Sequence, residues 1–149
     1  MVMKNIFAIS IAVFLSGCVS VNTVEQLKIS GKKSEEYCSA ISPEKLEQSY
    51  SNYLGQCFKT SSVDMGSATV GEIMTVSRLS TNNGVDLRVV KTIVKGNSYQ
   101  LVVSIDEGNE QCRSVVRAYA YNWTQANHFE NIKVISDNGT ADKCANDLF

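Results

Sequence analysis

Apolar residues recur at helical spacing in one early segment of the chain, residues 42–57. They lie on a single face of a 3.6-residue period and comprise Leu46, Tyr50, Tyr53, Leu54 and Cys57. Ser42 is a favourable N-cap, and Pro43 suits the first helical position, which needs no N–H donor. This pattern predicts a helix that begins at Pro43 and ends near Gly55 in a left-handed cap.

The pattern changes at Thr69, where β-branched residues become frequent and apolar positions alternate. Segments 69–80, 85–95, 98–105 and 112–121 each predict a strand, and Asn83-Gly84 and Gly96-Asn97 predict tight turns. In the third strand, alternation places four apolar residues on one face: Tyr99, Leu101, Val103 and Ile105. In the second strand, apolar residues occupy odd-numbered positions up to Val89 and then the even-numbered positions of Val90 and Val94. Either both faces are partly covered, or a β-bulge shifts the register there.

The segment from residue 124 to residue 136 has two interpretations. Every third residue is apolar (Ala126, Phe129, Ile132 and Ile135), which favours a helix that Asp137-Asn138-Gly139 would end. A fifth strand over residues 132–135 is the alternative. With the helix, two helices flank a run of strands. This order predicts an α+β fold, in which an antiparallel four-stranded meander carries an N-terminal and a C-terminal helix on one face.

The first seventeen residues have the pattern of a secretion signal. Lys4 supplies a positive charge, and Ile6 to Leu15 form an apolar run of about ten residues, whereas a membrane-spanning helix needs about twenty. Small residues follow at Ser16-Gly17. We therefore expect residues 1–17 to be a signal peptide that is removed from the mature protein.

The end of this leader, Leu15-Ser16-Gly17-Cys18, resembles the lipobox of bacterial lipoproteins. The resemblance implies cleavage before Cys18, which would then carry a diacylglyceryl thioether and an N-acyl chain such as palmitate. Val19 stands where an Asp would retain such proteins at the inner membrane, which implies an outer-membrane anchor facing the periplasm. An ordinary signal peptide with a chance cysteine is the alternative.

Behind the lipidated cysteine, the composition divides the mature chain into two parts. Residues 18–33 are mostly polar and predict a flexible tether, in which "VEQLKIS" could add an edge strand or pack loosely. Residues 34–149 predict a single globular domain stapled by disulfides. With Cys18 set aside, an even number of cysteines remains in this exported domain: Cys38, Cys57, Cys112 and Cys144.

These four cysteines predict two disulfides. Of the three possible connectivities we favour Cys38–Cys57 with Cys112–Cys144, because each closes a short local loop. A zinc site is the rival interpretation. The chain has no CxxC spacing and a single histidine, so we expect neither a metal site nor a cofactor.

The charged residues bear on which partners the chain could bind. The net charge of −1 gives no indication of nucleic-acid binding. Basic residues are nevertheless frequent on the strands, and four are candidates for binding an acidic group of a partner: Arg88, Lys91, Arg113 and Arg117. Arg88 and Arg113 in particular could share an exposed face. The alternative is a solvated sheet face whose charges discourage edge pairing.

No catalytic constellation is evident. His128, the one histidine, predicts a surface or partly buried helix residue, because no nucleophile signature accompanies it. The acid pairs Glu35-Glu36 and Asp106-Glu107 lie in polar segments typical of solvated carboxylates. The aromatic residues at the end of the last strand, Tyr119, Tyr121 and Trp123, predict core packing under the final helix, or alternatively a binding cleft.

Two functional hypotheses follow from these features. The first is a non-catalytic, outer-membrane-anchored lipoprotein that binds a protein or another envelope component through its exposed sheet face or edge. The second is an inhibitor or immunity lipoprotein that blocks an envelope-targeting enzyme through a protruding loop at residues 106–111. An enzyme is disfavoured, because a nucleophile–base pair is missing.

Overall fold

A computed structural model describes residues 21–64, 69–93 and 96–145. The predicted signal peptide and Cys18 lie outside these residues. The helices are α1 (Val24–Ser30), α2 (Pro43–Cys57), α3 (Trp123–Ala126) and α4 (Phe129–Asn138). The strands are β1 (Lys32–Lys33), β2 (Tyr37–Ser39), β3 (Ser61–Asp64), β4 (Thr69–Ser80), β5 (Gly84–Ile93), β6 (Gly96–Glu107) and β7 (Ser114–Ala120).

The strands form one antiparallel sheet in the order β1-β7-β6-β5-β4-β3, and β2 also pairs with β7. Strands β4 to β7 are consecutive neighbours, so they form the predicted four-stranded meander. The α+β prediction is confirmed. The sheet is wider than expected, because the short strands β1, β2 and β3 extend both of its edges.

Helices α2 and α4 pack on one face of this sheet, as predicted. The helices contribute Leu46, Tyr50, Tyr53, Leu54, Ile132 and Ile135, and β5, β6 and β7 contribute alternate residues from Val85 to Ala120. Burial of an aliphatic side chain of this size stabilises a fold by about 1.5–3 kcal/mol. Helix α2 continues past Gly55 to Cys57, so the predicted cap at Gly55 is wrong. Helix α4 ends at Gly139, whose φ of 82° is left-handed.

Helix α1 packs on the opposite face of the sheet. The Oγ1 of Thr23 accepts a hydrogen bond from the amide of Gln26 at 3.1 Å and so caps the helix. Leu27 is fully buried in a second apolar cluster, which includes Val102 of β6 and Tyr119 of β7. Residues 24–30, which the sequence placed in a flexible tether, are therefore a packed helix. Its buried residues, Val24 and Leu27, lie one turn apart and pack against these strands.

A β-bulge lies at the position where the apolar parity of β5 changes. Val89 pairs with Leu101 but Val90 pairs with Tyr99, so Gln100 is the extra residue of the bulge. Both predicted alternatives hold, because each face is also partly covered by helices. The bulge turns Tyr99 to the α1 face, where it packs against the second cluster. The prediction that Tyr99 shares a face with Leu101 is therefore wrong.

The two disulfides join other partners than predicted. Cys38 pairs with Cys112, with a Cα–Cα distance of 5.2 Å, and Cys57 pairs with Cys144 at 5.4 Å. Cys38 precedes α2 and Cys57 is its last residue, so the two lie at opposite ends of a 15-residue helix that is about 22 Å long at 1.5 Å per residue. The pairing of β2 with β7 instead brings Cys38 to the β6–β7 turn. The predicted Cys38–Cys57 disulfide cannot form because α2 lies between the two cysteines and holds them apart.

Candidate functional site

The four predicted partner-binding residues do not form one patch. Lys91 pairs with Glu72, and Arg117 pairs with Glu36, so both charges are compensated on the surface. Arg113 is exposed next to the β6–β7 turn, where it lines a cleft of about 530 Å³ with residues of α2 and the end of α4. Arg88 lies on the α1 face of the sheet, and it is the candidate with the most unusual surroundings.

Helix α1 leaves part of its own face of the sheet uncovered. It contacts β6 and β7, while alternate residues of β4 on that face remain open. We call this region the open face and define it by Ile73, Thr75, Ser77, Leu79 and Arg88. The side chains of Ile73 and Leu79 are 51% and 39% exposed. The open face therefore combines exposed apolar groups, hydroxyl groups and one cation.

Arg88 lies in the middle of the open face. It is paired across the sheet with Ser77 on one side and with Val102 on the other. Its Nε atom is buried and has no hydrogen-bond partner among the described residues. A buried donor without an acceptor costs about 1–3 kcal/mol. Arg88 is half-buried, so a rotation of its side chain that brings Nε to a partner's acceptor would gain affinity here. A carboxylate suits a guanidinium, because two parallel hydrogen bonds can form.

A partly buried ion pair fixes α1 beside the open face. The Nζ of Lys28 lies 2.7 Å from the Oδ2 of Asp86, which is 2% exposed. The hydroxyl of Ser104 donates to the other carboxylate oxygen at 2.6 Å. Because both oxygens are satisfied, Asp86 serves as a structural anchor for the helix. This role was not predicted from the sequence. Asp86 and Arg88 are alternate residues of β5, and two charged residues on one face of a strand are typical of a solvated surface.

His128 is a core residue. It is 1% exposed, so the prediction of a surface or partly buried position is wrong. Its Nδ1 lies 2.7 Å from the hydroxyl of Tyr53, and its ring centroid lies 4.6 Å from that of Phe58. Asn131 donates a second hydrogen bond to the Tyr53 hydroxyl at 3.0 Å. Burial lowers the pKa of His128 to about 4, so the ring is neutral at pH 7.

This buried imidazole predicts a loss of stability in acid. In the unfolded chain His128 takes up a proton below its ordinary pKa of about 6.5, whereas the folded protein resists protonation until about pH 4. The free energy of unfolding should therefore fall by about 3 kcal/mol between pH 7 and pH 4 from this residue alone. Urea unfolding of the wild type and of His128→Phe at both pH values isolates the effect. Equal losses in the two proteins would show that His128 does not titrate this way.

The remaining candidates for chemistry are dispersed. Glu35 and Glu36 are exposed, and Glu36 is the partner of Arg117. Asp106 and Glu107 end β6 beside the turn. Within residues 21–64, 69–93 and 96–145, no group of three or more His, Cys, Asp or Glu side chains is placed to bind a metal ion. Nor does any helix in this part of the chain have the length and apolarity to cross a membrane.

The aromatic residues that follow β7 separate into buried and exposed positions. Tyr119 is buried as predicted, but it packs in the second cluster under α1 and not under the final helix. Tyr121 and Trp123 are 41% and 72% exposed, so the prediction of core packing is wrong for these two. The strand ends before them, and α3 begins at Trp123 with Asn122 as its N-cap. The ammonium of Lys32 lies 4.0 Å from the centroid of the Trp123 ring.

No protein-family model, curated protein or solved structure matches this chain. The features of the chain that bear on its function are the open face with Arg88 and the exposed aromatic residues after β7.

Proposed function

We propose that this chain is a non-catalytic lipoprotein, anchored by Cys18 at the periplasmic side of the outer membrane, which binds a protein partner through the open face. The lipobox-like sequence at residues 15–18 supports the anchor, and the two disulfides suit an oxidising compartment outside the cytosol. Anchoring raises the effective concentration of a binding module at a surface without adding contacts.

The unpartnered nitrogen of Arg88 is the observation that carries this proposal. Buried donors without an acceptor are uncommon in folded proteins, and an acceptor supplied by a partner would satisfy this one. The partner best suited to the open face presents a carboxylate to Arg88 and apolar side chains to Ile73 and Leu79. Such a partner is a protein segment, either from a resident envelope component or from a larger assembly.

Photo-crosslinking in intact cells tests this assignment. A photoreactive residue at Ser77 lies in the open face, whereas the same residue at Asn52 is exposed on α2, across the sheet, and serves as the matched control. We expect a discrete adduct from Ser77 only. Arg88→Ala should reduce its yield about tenfold, since a charge-assisted hydrogen bond contributes about 1.5–3 kcal/mol. An adduct equally strong from Asn52, or unaffected by Arg88→Ala, would contradict the proposal.

The β6–β7 turn favours a second candidate, an inhibitor or immunity lipoprotein that blocks an envelope-targeting enzyme. Residues 107–111 are exposed, yet the turn is held by several contacts. The amide of Asn109 donates to the carbonyl of Cys112 at 2.7 Å, and Asn109 Oδ1 accepts from the amides of Gln111 and Cys112 at 3.0 Å. The disulfide from Cys112 to Cys38 ties this turn to β2.

A rigid, protruding loop loses little conformational entropy on binding, which is the property that a tight inhibitor needs. The two candidates differ in the residues that a bound partner requires. An inhibitor should bind one enzyme with a Kd of about 1 nM, and alanine at Glu110 and Gln111 should weaken binding more than Arg88→Ala. The opposite order identifies the open face as the binding surface.

A further inference from the structure

The folded domain begins very close to the proposed lipid anchor. The carbonyl of Val21 accepts a hydrogen bond from the amide of Tyr99 at 3.1 Å, and Val21 is 5% exposed. Cys18 precedes Val21 by three residues, so the Cα atoms of the two lie within about 11 Å in any conformation. A lipid on Cys18 therefore leaves no long tether between the membrane and the sheet.

The exposed aromatic residues lie at the same end of the sheet as Val21. The amide of Tyr121 donates to the carbonyl of Gln100 at 2.9 Å, and Gln100 is the neighbour of Tyr99, which binds Val21. Trp123 follows two residues later, and Lys32 lies against its ring. We call Lys32, Tyr121 and Trp123 the aromatic corner.

We propose that the aromatic corner rests in the headgroup region of the membrane that carries the anchor; this inference depends on the proposed lipidation of Cys18. Tryptophan and tyrosine favour the boundary between hydrocarbon and water, because one part of each ring is apolar and another binds hydrogen-bonding groups. Lysine beside them is attracted to the phosphates of anionic lipids. The composition of the corner, and its distance from the anchor, fit a lipid surface.

The orientation has a consequence for the proposed binding surface. Leu79 pairs with Asp86, which pairs in turn with Ser104 of β6. The aromatic corner lies near Leu101 of β6, which pairs with Ala120. The Leu79 end of the open face therefore points away from the end that contacts the membrane. Docking at the corner would hold that part of the open face accessible to a partner.

Trp123 is the only tryptophan of the chain, so its fluorescence reports on the corner directly. The experiment uses the purified full-length mature protein in vesicles of phosphatidylethanolamine and phosphatidylglycerol. We expect brominated lipids to quench Trp123, and its acrylamide quenching constant in vesicles to be about twofold or more below that of the unlipidated Cys18→Ala protein in buffer. The control is Trp123→Phe combined with Leu79→Trp, which moves the single tryptophan to the opposite end of the sheet; its quenching by acrylamide should not change.

Mass spectrometry of the same sample separates the two ways of failing. Protein that carries acyl chains on Cys18 and sediments with vesicles, but whose Trp123 stays as accessible to acrylamide as in buffer, would overturn the aromatic corner and leave the anchor intact. Protein that lacks acyl chains on Cys18 would overturn the proposed anchor, and with it this inference. Equal protection of the tryptophans at positions 123 and 79 would also overturn the proposed orientation.

Discussion

Replacing Cys57 and Cys144 together with alanine should lower the free energy of unfolding by about 4–5 kcal/mol. The disulfide joins residues that are 87 positions apart in the sequence, and the entropy of closing so long a loop in the unfolded chain is large. It also attaches the C-terminal segment to the last residue of α2, whose buried face forms much of the core.

Thermal and urea unfolding measure this effect, and the expected fall in Tm is roughly 10–20 °C. The matched control is Cys38→Ala with Cys112→Ala, which opens a loop of similar size, 74 positions, at the edge strand β2. Because the two loops are of similar length, we expect nearly equal losses of stability for the two pairs. A loss below about 1 kcal/mol for the first pair would show that loop closure does not govern its contribution.

Replacing Cys18 with alanine, behind a leader that is cleaved without lipidation, should release the protein from membranes. Each buried methylene of an acyl chain contributes about 0.8 kcal/mol, so loss of two or three chains should lower the membrane-bound to soluble ratio by more than about 100-fold. The proposed aromatic corner alone buries too little apolar area to replace them.

Cell fractionation measures this ratio, and unfolding curves supply the control. The four cysteines of the described residues pair with one another, so Cys18→Ala should leave Tm unchanged. A variant that remains in the membrane fraction with an unchanged Tm would contradict anchoring through Cys18. The result would then point to another source of membrane attachment.

Local patterns in the sequence were sufficient to predict the main elements of the fold. Helix α2 follows from an N-cap, a proline and apolar residues at one spacing, and the meander follows from alternation between tight turns. Gly139 ended α4 as predicted, because only a residue that tolerates positive φ suits that position. In each case, the cause of the structure lies within about fifteen residues of sequence.

The errors arise where contacts distant in sequence decide the outcome. Cys38 bonds to Cys112 because β2 pairs with β7. β2 has only three residues, which is too short a strand to be predicted from its sequence pattern. Helix α1 has only two buried residues in its seven, too few for periodicity to identify a docked helix. Burial of a histidine beside Tyr53 requires α2 and α4 to be in place, so no local pattern at His128 announces it.

The candidate site was predictable only in part. Arg88 was among the four basic residues that the strand pattern indicated. Lys91 and Arg117 were indicated equally, but the structure shows that both form ion pairs with other surface residues. The distinction depends on which face each residue takes and what lies opposite, and this is a property of the assembled sheet. The exposed position of Trp123 likewise depends on where β7 ends.

The most direct measurement for the proposed anchor is the mass of the amino-terminal peptide from protein isolated from its native membrane. We expect a chain that begins at Cys18 and carries a diacylglyceryl group with an additional acyl chain, while the cysteines of the folded domain remain in disulfides. An intact leader, or a free Cys18 without acyl chains, would contradict it.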